Sequence, residues 1–184
     1  TFNGSLFLLP KDCRLTELTL EGISNIQGDF QCKDYFYVKE FVMPFIRVAG
    51  NMTIALNSGS VNTAAEIEFP KLQEIGGTLT LGTNRNANNI TFPLLKKILG
   101  SCSVTTYKLK NDIEFTNLES IGTDGADAQI KFEIEATNIL CPKLKTINGK
   151  FDIATSSFMF DMEVDKVSYP NVESISENLS ITCP

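Results

Sequence analysis

The stretch IEFPKLQEIGGTLTL, Ile67 to Leu81, constrains the fold more than any other part of the chain. Its apolar residues fall in a set order: an alternating pair (Ile67, Phe69), a bend at Pro70, then Leu72 and Ile75, a glycine at Gly77, and a second alternating pair (Leu79, Leu81). A period of two belongs to a β-strand with one buried face, and Pro and Gly punctuate strands. Leu72 and Ile75 are three apart, which suits a tight turn or a single helical turn that tucks both side chains inward. So short a unit cannot bury its apolar side against itself. It makes sense only as one repeat stacked on others of its kind.

The string recurs. ITFPLLKKILGSCSV (Ile90 to Val104) and ILCPKLKTINGKFDI (Ile139 to Ile153) are its most regular copies. VSYPNVESISENLSI (Val167 to Ile181) has Glu177 in the glycine place, and LTLEGISNIQGDFQC (Leu18 to Cys32) lacks the proline. FVMPFIRVAGNMTI (Phe41 to Ile54) is one residue shorter after Pro44, which puts Phe45 in the Leu72 place. The copy from Ile113 has Thr116 for proline and an inserted loop before a strand carrying Ile130, Phe132 and Ile134. The shared isoleucine or valine falls at positions 26, 48, 75, 98, 121, 147 and 175. The mean interval is about 25 residues, within the range of stacked-repeat proteins. The expectation is a mainly β chain, a right-handed parallel β-helix of about seven coils. It would be one domain over 1–184, with residues 1–14 as an N-terminal cap, 15–181 as repeats and 182–184 as a C-terminal end.

The P-x-L-x-x-I-x-G-x-L-x-I string, present as Pro70, Leu72, Ile75, Gly77, Leu79 and Leu81 and again from Pro93, Pro142 and Pro170, resembles the repeat of the receptor L domain. That is the leucine-rich β-helix of insulin- and EGF-type receptor ectodomains. It is at least as similar to the L-domain-like repeats of GPI-anchored fungal cell-wall proteins and other microbial surface proteins. The resemblance covers roughly Leu15 to Ile181 and implies an extracellular or cell-surface location. It implies a fold and leaves the ligand open, because unrelated functions share folds.

Charge and residue types narrow the chemistry. The chain has 184 residues, 16 Lys and Arg against 22 Asp and Glu, and a net charge of −6. Nucleic acid and anionic membranes are disfavoured partners, since phosphate binding needs clustered Lys and Arg and the short pairs Lys96-Lys97 and Lys108-Leu109-Lys110 are too brief. No apolar run approaches the roughly 20 residues of a membrane helix, so any anchor would lie outside this segment. The chain starts at Thr1 and not methionine, consistent with removal of a signal peptide or flanking domains.

With no histidine, the usual Ser-His and Cys-His arrangements are absent, and no C-x-x-C spacing suggests zinc. The five cysteines are read by register: Cys32 in the Leu81 place, Cys102 in the Leu79 place and Cys141 in the Phe69 place, all inward. Cys13 and Cys183 lie in the end repeats, and Cys13 with Cys32 is the best candidate disulfide. Asp161, Glu163 and Asp165 alternate on one strand, and Asp124 and Asp127 share a turn-like loop. The first reads as solvated surface, the second as a turn rich in Asp and Gly. No catalytic, cofactor or metal residue is assigned.

Outward residues lie between the inward pairs. For the second strand the column reads Gln31, Thr53, Thr80, Ser103, Glu133, Asp152, Ser180. For the first strand it reads Thr19, Val42, Glu68, Thr91, Glu114, Leu140, Ser168. The aromatic segment KDYFYVKEF supplies Tyr35 and Tyr37, and tyrosine gives large contact area at low entropic cost. The candidate binding face is therefore Tyr35, Tyr37, Thr53, Thr80 and Ser103. Sequons occur at Asn3, Asn51, Asn89 and Asn178, with Asn51, Asn89 and Asn178 as candidate glycosylation sites in a eukaryote. The favoured function is a non-catalytic extracellular recognition or adhesion module that binds a protein or glycan. A structural cell-wall or envelope spacer is the alternative, and a polysaccharide-processing β-helix enzyme comes third.

Overall fold

A computed structural model describes residues 1–9, 16–33, 40–57, 65–84, 87–107, 113–123, 128–134, 138–154, 166–168, 171–175 and 179–182. Among them there is no helix, and every paired strand runs parallel to its neighbours. Three parallel sheets result, and consecutive strands of the chain enter them in rotation, which makes the molecule a β-solenoid.

The eight-stranded sheet runs in chain order through Leu6–Leu8, Phe30–Lys33, Met52–Asn57, Leu79–Asn84, Cys102–Tyr107, Ala128–Ile134, Gly149–Ala154 and Leu179–Thr182. A seven-stranded sheet holds Glu17–Thr19, Glu40–Val42, Ala65–Glu68, Ala87–Thr91, Ile113–Glu114, Asn138–Leu140 and Lys166–Ser168. The third, also seven-stranded, is built of two-residue strands from Asn25–Ile26 to Ser174–Ile175. In it Ile26, Val48, Ile75, Ile98, Ile121, Ile147 and Ile175 pair one with the next. The repeat positions read from the sequence thus form one ladder.

Inward residues stack in the same way. Phe30, Met52, Leu79 and Cys102 form one fully buried column of the eight-stranded sheet, and Cys32, Ile54, Leu81 and Val104 form the next. Phe69, Phe92 and Phe115 lie ring on ring at the first bend, with centroids 5.1 and 5.2 Å apart and planes within 7°. Offset stacking of this kind adds roughly 0.5–1.5 kcal/mol per pair beyond area burial. Cys141 follows in the Phe69 place, and like Phe69 its carbonyl closes a turn.

That turn settles the geometry of Leu72. Its N–H donates to the Phe69 carbonyl at 3.3 Å, three residues back, and Leu95, Leu118 and Leu144 repeat the bond to Phe92, Phe115 and Cys141. The bend is therefore a β-turn and not a helical turn. Pro70, Pro93 and Pro142 hold its second position, where the ring presets φ. The copy with Thr116 makes the same turn at 3.2 Å, so proline assists the bend without being required.

The glycines mark a close approach of backbones. Gly28, Gly50, Gly77 and Gly100 each donate N–H to the carbonyl of the preceding glycine in the series that begins at Gly4, at 2.9 to 3.0 Å. A β-carbon on Gly77 would lie 2.9 Å from the Gly50 carbonyl carbon and the Asn51 nitrogen. Beside this ladder runs a polar one: Ser5 Oγ accepts from Asp29 N–H at 2.9 Å, Asp29 Oδ1 from Asn51 N–H at 2.7 Å, and Asn51 Oδ1 from Thr78 N–H at 2.8 Å. The corner leaves these amide groups outside the sheet, and the side chains satisfy them.

Leu6–Leu8, in the stretch expected to act as a cap, pairs with Phe30–Lys33, and Phe2 bridges Ile26. The eight-stranded sheet therefore begins one strand before the first aligned repeat. Cys32 is buried and free, so the expected Cys13–Cys32 disulfide is not formed: the inward register of Cys32 places its thiol in the core. Cys13 and Cys183 lie outside the described residues.

Candidate recognition face

In-register pairing turns outward positions into straight columns at about 4.8 Å spacing. On the eight-stranded sheet the first outward column is Phe7, Gln31, Thr53, Thr80 and Ser103, and its register continues through positions 131, 152 and 180. Thr53, Thr80 and Ser103 are adjacent, as expected from the repeat alignment; Thr80 is exposed and the other two are half-buried. Lys131, and not the expected Glu133, aligns with Ser103, and Glu133 instead opposes Thr105. Ile130, Phe132 and Ile134 fit two registers equally well by alternation. Pairing of Ile130 with Cys102 selects the earlier one.

The neighbouring outward column contains Lys33, Ala55, Gly82 and Thr105, in register with positions 133, 154 and 182. Ala55 and Gly82 stand beside Thr53 and Thr80, so the middle of the face is low and flat. A β-carbon on Gly82 would have only the Ile54 carbonyl oxygen near it, at 3.9 Å. Each threonine or serine hydroxyl both donates and accepts, and Gln31 adds an amide. Over Gln31, Thr53, Thr80 and Ser103 the column is uncharged and suited to neutral polar groups such as sugar hydroxyls or peptide amides. Phe7, 54% exposed, stands at its head and supplies an apolar surface there.

The larger seven-stranded sheet differs in charge. Its outward column reads Thr19, Val42, Glu68, Thr91 and Glu114, and its register continues through positions 140 and 168, as the repeat alignment requires. A second outward column, not foreseen, stacks Glu17, Glu40, Glu66 and Asn89. Its signal was present in the sequence, because each of these residues sits two positions before an outward residue already aligned. Like charges opposite one another are unfavourable, and Asn89 Nδ2 donates to Glu66 Oε2 at 2.8 Å at one end of the column. On the third sheet opposite charges meet from strand to strand: Arg47 Nε lies 2.8 Å from Glu74 Oε1. With side chains 41% and 34% exposed, that pair contributes little stability and chiefly matches register.

Among the described residues the thiols are sequestered. Cys32, Cys102 and Cys141 are buried and free, and burial pushes all three thiols up, Cys102 to about 12. Among the described residues no three His, Cys, Asp or Glu side chains gather as a metal site, and no helix is long and apolar enough to cross a membrane. Tyr35, Tyr37, Asn178, Asp124, Asp127, Asp161, Glu163 and Asp165 lie outside the described residues. The structure thus brings together three of the five candidate face residues.

Compared with family models, curated proteins and solved structures, the chain matches none.

Proposed function

We propose that the protein is a non-catalytic extracellular or cell-surface recognition module that binds a neutral glycan or an extended protein segment across the outward face of the eight-stranded sheet. The observation that carries this reading is the in-register run Gln31, Thr53, Thr80, Ser103, a row of uncharged hydrogen-bonding side chains beside the low surface of Ala55 and Gly82. A rigid parallel sheet holds such a row at fixed spacing before any ligand arrives, and preorganisation lowers the entropic cost of binding. The three-sheet parallel ladder and the P-x-L-x-x-I-x-G string together support the finer assignment, a right-handed L-domain-like solenoid of seven coils. The buried, protonated thiols and the lack of histidine support a non-catalytic role.

The spacer reading has its own observation. Glycine and side-chain ladders continue from repeat to repeat along one corner, which favours a stiff rod. Binding assays separate the two. The folded chain is screened against neutral oligosaccharides and surface proteins, with Thr53→Arg/Thr80→Arg and Tyr35→Ala/Tyr37→Ala as variants. The recognition reading expects a ligand whose affinity drops at least tenfold with the arginine pair while the fold is retained. A ligand bound equally well by both folded variants removes this face from consideration. Failure of every ligand class favours the spacer.

A further inference from the structure

Four sequons occur in the chain, and the polar corner ladder distinguishes one of them. Asn51 is exposed, its Oδ1 accepts from Thr78 N–H at 2.8 Å, and its own N–H donates to Asp29 Oδ1 at 2.7 Å. The ladder asks only for an oxygen acceptor at each rung. Asp29 fills the preceding rung with a carboxylate and Ser5 the one before with a hydroxyl, neither contributing a side-chain nitrogen. The nitrogen of Asn51 is therefore surplus to the fold. Because the amide is planar and Oδ1 is held toward Thr78, Nδ2 is turned away from that bond.

We propose that Asn51 carries an N-linked glycan, attached through Nδ2 at the rim of the hydroxyl column. This rests on the extracellular reading, since the donor is a polyprenyl-pyrophosphate-linked oligosaccharide of a secretory pathway. In the transfer, an Nδ2–C1 bond forms and the C1–O bond to pyrophosphate breaks. One amide proton passes to the transferase base, and the lipid pyrophosphate departs with the bonding electrons. The product keeps the Asn51 carbonyl, so the acceptor for Thr78 survives and the Gly77 close approach is undisturbed. Thr53 completes the sequon and stands in the first outward column, so the sugar chain would border the candidate face and screen Thr53 from one side.

Asn89 provides the contrast. Its Nδ2 donates to Glu66 Oε2 at 2.8 Å and the residue is half-buried, so a sugar on that nitrogen would have to share the space of the carboxylate. Occupancy is expected to be lower there than at Asn51.

The full chain, expressed behind a secretion signal in a eukaryotic host, tests the assignment. Enzymatic deglycosylation in heavy-oxygen water marks each occupied asparagine as labelled aspartate, read peptide by peptide. Asn51→Asp keeps the oxygen acceptor and removes the nitrogen. The expected result is glycan on Asn51 in most folded molecules, its loss in Asn51→Asp, and the same urea midpoint for both proteins. Asn51 unmodified in folded chains that entered the pathway overturns the proposal. Chains that are translocated but retained in the cell are read in the same way. Failed secretion therefore counts against the extracellular reading, while occupancy alone decides Asn51.

Discussion

Two glycines five residues apart offer a stringent test of the corner ladder, because the same added methyl should have opposite consequences. In Gly77→Ala the β-carbon would fall 2.5 Å from Asn51 Oδ1 and 2.9 Å from the Asn51 nitrogen and the Gly50 carbonyl carbon. Two of these are backbone atoms of the neighbouring repeat, so no rotamer change relieves them, and the rungs must part. Parting strains the 2.9 Å bond from Gly77 N–H to Gly50 and the 3.0 Å bond from Gly100 N–H to Gly77. It also strains the 2.8 Å bond from Thr78 N–H to Asn51 Oδ1. At roughly 1 kcal/mol net per bond, with about 1–3 kcal/mol for overpacking, the gross cost is several kcal/mol. Loss of glycine's freedom in the unfolded chain returns about 0.4–1 kcal/mol. The net expectation is destabilisation by about 3–5 kcal/mol. Gly82→Ala meets nothing nearer than 3.9 Å, so only the unfolded-state gain applies, and stability should hold or rise by up to about 1 kcal/mol. Urea unfolding followed by circular dichroism gives both midpoints, with unchanged m-values required for the comparison. A Gly77→Ala protein as stable as the parent would refute the close approach. Equal damage from Gly82→Ala would refute the open outward face.

Other perturbations read the interior. Phe92→Ala removes the middle ring of a stack with neighbours at 5.1 and 5.2 Å, and should cost about 3–5 kcal/mol by the same urea assay. Cys102 and Cys141 should resist thiol reagents in the native protein and react promptly once it is unfolded; rapid native labelling of both would contradict their inward register. Because burial raises these thiols, the folded state keeps its protons longer than the unfolded chain. Their contribution is therefore complete below the ordinary thiol value of about 8.5 and is lost as pH climbs toward about 12. Stability should fall across that alkaline window, less steeply in Cys102→Val.

Much of the interior could be read without coordinates, because the side-chain period of a strand is fixed while its surroundings vary. Ile75 pairs with Val48 and Ile98 as the repeat alignment requires, and Phe45 occupies the Leu72 place despite the missing residue. The failures have a common physical origin, in that alternation fixes which face a residue takes but not which rung it joins. Ile130, Phe132 and Ile134 allow two rungs, and after an inserted loop the count from the previous repeat no longer discriminates. The Lys131 position followed from pairing alone. By pattern alone Gly77 marks a bend; the distances show it to be the consequence of one backbone resting on another. The side-chain ladder through Ser5, Asp29 and Asn51 joins residues 22 or 24 apart and of differing type, and no local pattern announces it.

This division between interior and exterior bears on how a binding face could arise here. The energetic demands of the repeat fall on inward columns, on the turn and on the glycine corner, where each residue touches its counterpart one rung away. Outward residues such as Thr53, Thr80 and Ser103 meet few such demands, since they touch neighbours only along one side of a flat sheet. Substitutions there are expected within about 0.5 kcal/mol of neutral, as at other surface positions. Chemistry on the outward columns can therefore diverge between sheets without a stability penalty, and it does: one sheet stacks Glu17, Glu40 and Glu66, while the other stacks Gln31, Thr53 and Thr80. Because the two faces share one core, an outward variant that alters binding at constant urea midpoint reports on recognition alone. The acidic column is the internal control: Glu40→Gln should leave binding of a neutral ligand to the hydroxyl column unchanged, and a loss of that binding would place the ligand on the wrong sheet.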